Sequence, residues 1–75
     1  MYIVTECIME CWDGDILEIA GLFSTQKLAE NFCKKQYKKD KRHSKFYIEN
    51  WEVDSLKNHC EKTFIQGRFY DGRIE

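Results

Sequence analysis

The chain has no proline, and its four glycines stand apart at positions 14, 21, 67 and 72. Missing proline and sparse glycine argue against a disordered or low-complexity segment, and scattered glycines leave no Gly-rich loop to cradle a phosphate. No apolar run approaches the ~18 residues that a membrane-spanning helix needs, so no membrane association is expected. Met1-Tyr2-Ile3-Val4-Thr5-Glu6 shows neither the basic region nor the small-residue cleavage site of a secretory signal, which points to a cytoplasmic protein. In that setting Cys7, Cys11, Cys33 and Cys60 read as reduced thiols rather than two disulfides. Four residues along an extended strand put the Cα atoms of Cys7 and Cys11 roughly 13 Å apart. A disulfide tolerates no more than ~7 Å.

What is present is a foldable core. Hydrophobic residues make up 43% of the 75-residue chain, and eleven of its residues are aromatic. One domain spanning residues 1–75 is expected, at the small end of what folds alone. A core this size rarely yields more than ~3–5 kcal/mol of net stability, so a homodimer is a natural way to bury more area.

Tyr2 to Trp12 alternates as a strand, with Ile3, Cys7, Met9 and Cys11 on one face and Glu6 and Glu10 on the other. Asp13-Gly14 suits a type I′ turn, and Ile16 to Phe23 returns as a second strand. In that second strand Leu17, Ile19 and Phe23 share one face. Ser24 and Thr25 are good helix caps, and Leu28, Ala29, Phe32, Cys33 and Gln36 then cluster on one helical face. The helix is expected from about Thr25 to Lys39. Phe46 to Val53 reads as a third strand, Leu56 to Cys60 as a short helical turn, and Thr63 to Tyr70 as a strand interrupted at Gly67. The expected fold is α+β: a small, mainly antiparallel sheet, ββαβ and then a C-terminal strand, with one main helix packed on one face. The opposite face would carry Tyr2, Val4, Ile8, Ile16 and Ile48, and would need the C-terminal segment or a second subunit to cover them.

Net charge is −1, yet the charges are segregated. Residues 1–33 hold six acids and one base; residues 34–45 hold seven bases and one acid. The basic run (Lys34, Lys35, Lys38, Lys39, Lys41, Arg42, Lys45) forms one candidate partner-binding face. The acidic hairpin end (Glu10, Asp13, Asp15, Glu18) forms the other. Seven cations in twelve residues could also neutralise phosphates, with Tyr37, Phe46 and Tyr47 stacking on bases if exposed. The sequence pI near 6.1 weighs against that second use.

No catalytic set emerges. Cys7, Cys11, His59 and Cys60 lack the close turn spacing of a zinc site, and His59 and Cys60 are neighbours whose side chains diverge on regular structure. No metal and no cofactor is expected, and no enzymatic activity.

Gly21-Leu22-Phe23-Ser24-Thr25-Gln26-Lys27-Leu28-Ala29-Glu30 joins a strand end to a cap and a helix start. With the preceding hairpin and the strand Phe46 to Asp54, residues 1–54 resemble a family of short bacterial and phage proteins of unknown function. The resemblance implies the hairpin–helix–strand core and no activity. Similar size and plainness are found among phage proteins that inhibit host factors, inhibitors of CRISPR systems among them, an analogy of scale rather than motif. The expectation is a non-enzymatic protein-interaction module, with nucleic-acid binding through residues 34–45 as its alternative.

Overall fold

The helix claims the sheet face that carries Phe23, Phe46, Phe64 and Phe69. A computed structural model describes residues 1–9, 14, 16–51 and 58–73. The elements are β1 (Tyr2–Met9), β2 (Ile16–Phe23), α1 (Gln26–Lys39), β3 (Lys45–Trp51), β4 (Asn58–Ile65) and β5 (Arg68–Asp71). They form one five-stranded sheet in the order β2-β1-β3-β4-β5, antiparallel at every junction. Helix α1 packs on one face of it, as expected.

Thr25 opens the helix. Its backbone is extended and its hydroxyl accepts from the Leu28 amide at 3.2 Å, satisfying a donor that the first turn leaves unpaired. Thr25→Ala should lower stability by ~1 kcal/mol, read as a lower urea midpoint at unchanged slope. At the other end Asp40 donates its amide to the Gln36 carbonyl at 2.9 Å. An acid there opposes the helix dipole, and Arg42 offsets it through a guanidinium pair at 2.9 Å.

Ala29 and Cys33, four residues apart, are fully buried against Val4, Phe46, Ile48 and Phe64. Rings continue the layer: Phe23 to Phe32 at 5.1 Å, Phe46 to Phe64 at 6.0 Å, Phe64 to Phe69 at 4.8 Å and Tyr37 to Phe64 at 5.8 Å between centroids. Two expectations change here. Tyr2, Val4 and Ile48 belong to the helix-bearing layer, not the opposite face. Leu28, assigned to the buried helical stripe, is about half exposed, and Tyr37 takes part in the core instead.

The alternation of β2 also breaks. Val4 pairs with Gly21 and Thr5 with Ile19, leaving Ala20 as an extra residue in a bulge. The bulge reverses the pleat. Leu17 and Ile19 therefore share their face with Leu22, opposite Ile3, while Phe23 turns toward the helix.

The C-terminal third differs most from expectation. Asn58–Cys60, assigned to a helical turn, is strand, and the expected strand 63–70 is two strands joined at Gln66-Gly67. Gln66 at φ +48° and Gly67 at φ +89° give the two left-handed positions of a tight hairpin. A Cβ on Gly67 would also come within 3.2 Å of the Tyr37 ring. Asp13 of the expected Asp13-Gly14 turn, Cys11, Val53 and residues 56–57 of the expected helical turn lie outside the described residues.

Candidate functional site

Two surfaces hold the chain's unusual chemistry, one on α1 and one on the sheet face that the helix leaves open. Along the helix Lys34, Lys35, Lys38 and Lys39 are exposed, followed by exposed Lys41 and Arg42. Lys34 lies over the Phe69 ring at 5.5 Å and Lys41 over Tyr37 at 4.5 Å. Their cations thus cap the aromatic layer from outside. Arg42 pairs with Asp40, and that guanidinium holds the carboxyl well below the ordinary range, at about 2. Lys35, Lys38 and Lys39 meet no carboxylate among the described residues.

Lys45 does not join them. It sits on β3 opposite Ile65, with its ammonium 5.7 Å from the Tyr47 ring on the open side of the sheet. The proposed single basic face is therefore a helical stripe, with Lys45 separated from it by the thickness of the sheet. Phe46 and Tyr47 are buried, so neither offers a ring for stacking on bases. Of the acidic set, Glu18 is exposed opposite Glu6 on the helix-bearing side. Glu10, Asp13 and Asp15 lie outside the described residues. Glu6 itself meets His43 of the loop after α1.

The open face divides into two halves. On the β3–β4 half Tyr47 is fully buried beneath Arg73, whose guanidinium lies 4.5 Å from the ring centroid. Thr63 donates to the Gly72 carbonyl at 2.7 Å, and the Gly72 amide to Glu61 at 3.0 Å, which anchors the tail there. Glu49 is buried and accepts from the Thr5 hydroxyl at 3.5 Å. A cleft of about 370 Å³ lies between Glu49, His59, Cys60, Gly72 and Arg73.

Cys60, His59 and Glu49 all line this cleft, but register separates their side chains. Cys60 stands opposite Glu49, whereas His59 stands opposite Asn50, so the two side chains leave the strand on opposite faces. Burial pushes the Cys60 thiol up, and its Sγ donates to the Lys62 carbonyl at 3.5 Å. That is the environment of a neutral thiol, not of an activated nucleophile. No cluster of three metal-ligating side chains occurs among the described residues.

Sequence reading missed this grouping because residues 49, 60 and 73 meet only through strand register and a bulge beside Glu61. The visible signal was the alternation that places Tyr47 and Glu49 on one face.

The hairpin, the capped helix and the strand pairing of β1 with β3 all lie within a span that a known family model recognises. The model of a domain of unknown function, DUF7336, matches residues 1–62. The chain belongs to that family. No curated protein and no solved structure matches it. The DUF7336 span contains the whole helical stripe and ends within β4, before Thr63, Phe64, Phe69 and Arg73.

Proposed function

We propose that the chain is a non-enzymatic protein-interaction module whose helical cations hold an acidic partner surface. The observation that carries this reading is the stripe itself. From Lys34 to Arg42 six exposed cations stand with a single carboxylate partner, Asp40, among the described residues. Like charges at i, i+4 (Lys34 with Lys38, Lys35 with Lys39) each destabilise a helix by roughly 0.2–0.5 kcal/mol. The helix dipole offsets this for Lys38 and Lys39 in the last turn, not for Lys34 and Lys35. A complementary acidic surface relieves the repulsion on binding and speeds encounter.

Such a module fits a phage- or mobile-element-encoded inhibitor that works in the cytoplasm by masking a host factor. The resemblance of residues 1–54 to short bacterial and phage proteins supports that reading.

The test is capture from the source cell by the full chain against a Lys35→Glu/Lys38→Glu/Lys39→Glu variant. These three lysines lie over no ring among the described residues, and circular dichroism should confirm that the variant stays folded despite the acids placed against the helix dipole at 38 and 39. Capture should fall by about tenfold or more and should weaken with added salt. Equal capture by the variant removes the stripe from function. A gel-shift titration with DNA and RNA addresses the alternative: a charge-dependent shift at low salt would reassign the stripe to nucleic acid.

A further inference from the structure

Among the described residues, the half of the open face built by β1 and β2 carries no charged side chain. Its positions are Ile3, Thr5 and Cys7 on β1 and Leu17, Ile19 and Leu22 on β2, paired across the two strands. Met1 and Trp51 extend it at one end, joined by the Trp51 amide donating to the Met1 carbonyl at 2.9 Å. In a chain that is 33% charged, every acid on the described parts of these two strands (Glu6, Glu18) points to the helix side instead. Yet this uncharged surface is not covered. Ile19 is 65% exposed, Leu22 58%, Leu17 36% and Trp51 38%.

We propose that this face is the contact surface of a symmetric dimer and that its occupant is a second copy of the chain. Three features favour a copy of itself. A two-fold axis sets each surface against its own image, which penalises any charged face; this is the large apolar surface of the described chain on which no like charges would meet. The helical stripe fails that condition.

Size is the second feature. Eight-residue strands and two strand widths give a footprint of about 27 Å by 10 Å, which Met1 and Trp51 lengthen at one end. Such a surface stays below the roughly 800 Å² that each partner contributes to a standard interface, so the pair is a weak one that forms as concentration rises.

The third feature is geometry. Edge-to-edge growth through β2 is discouraged, because bulges at Ala20 on β2 and at Ile8 on the adjoining β1 disturb the edge. Stacking the two open faces about 10 Å apart, as in a β-sandwich, uses the side chains and leaves the edges alone. Each α1 then lies outside the sandwich with its cations free, so this proposal does not depend on the function proposed for the stripe.

Sedimentation equilibrium of the full chain, from low to high micromolar concentration, tests the proposal. Wild type should reach the mass of two chains, and its thermal midpoint should rise with concentration. Ile19→Glu and, separately, Leu22→Glu should remain folded by circular dichroism, since both sites are exposed. Each should weaken the dimer by at least about 100-fold, because a charge would be left in a dry interface. Glu18→Lys, on the same strand but the opposite face, should leave the dimer intact. A wild type that stays at one chain mass overturns the proposal. So does a dimer that survives both face variants, or one that Glu18→Lys alone dissociates, which would make the contact an edge pairing.

Discussion

Replacing Phe64 with alanine should leave only a minor fraction of the chain folded. Phe64 is fully buried and its ring meets those of Tyr37, Phe46 and Phe69, the last at 4.8 Å between centroids. Removing a ring from such a site costs ~3–5 kcal/mol, through lost transfer energy and the cavity left behind. That matches the whole net stability that a domain of this size commonly has. Urea denaturation followed by far-UV circular dichroism should therefore show little or no native baseline for Phe64→Ala. Phe64→Leu keeps most of the volume and should remain folded with a smaller loss. A cost below about 1 kcal/mol for the alanine variant would mean that these rings are not the core.

The second large effect concerns alkaline pH. Cys33 lies fully buried on α1, and burial, with the nearby Glu30 carboxylate adding to it, pushes its thiol up to about 12. In the unfolded chain the same thiol ionises near 9. The folded state thus keeps a proton that the unfolded state releases. Stability from this group is fully present below about pH 9 and is lost as pH rises from there toward 12, by ~1.4 kcal/mol per pH unit. Other groups titrate in the same range, so the measurement is the difference in unfolding free energy between wild type and Cys33→Ala. That difference should be flat up to about pH 9 and then shift in favour of the alanine variant. A flat difference to pH 11 would show that the thiol is not held in a dry site.

Much of the helix-bearing layer is legible in the sequence because its signals are local. Thr25 announces the cap, Ala29 and Cys33 recur at helical spacing, and Tyr2 to Met9 alternates without interruption until Ile8. Which strand face meets the helix is a different question. Both faces of β1 are apolar, so alternation alone cannot choose between Val4 and Ile3; the rings on β3 and β4 decide it by packing on α1. The bulges escape for a related reason, since one extra residue such as Ala20 leaves composition unchanged while reversing every side chain beyond it.

The candidate surfaces were legible to unequal degrees. Charge is read directly, so the lysines of α1 stand where their spacing put them. Lys45 follows them in sequence but belongs to a strand, and its side chain leaves on the far side of the sheet. The uncharged patch depends on the pairing of Ile3 with Leu22 and Cys7 with Leu17, a property of register rather than of any one segment. Gln66-Gly67 carries a turn signal, a glycine after a polar residue, but the aromatic and β-branched residues on both sides make 63–70 look like one continuous strand.

The boundary of the shared span has a consequence for folding. Lys62 is the last matched residue, yet Phe46 and Tyr47 lie within the match and are shielded in part by Phe64 and Arg73, which follow it. Folding therefore does not stop where the match stops: the layer beneath α1 and the cover over Tyr47 are both finished by residues beyond it.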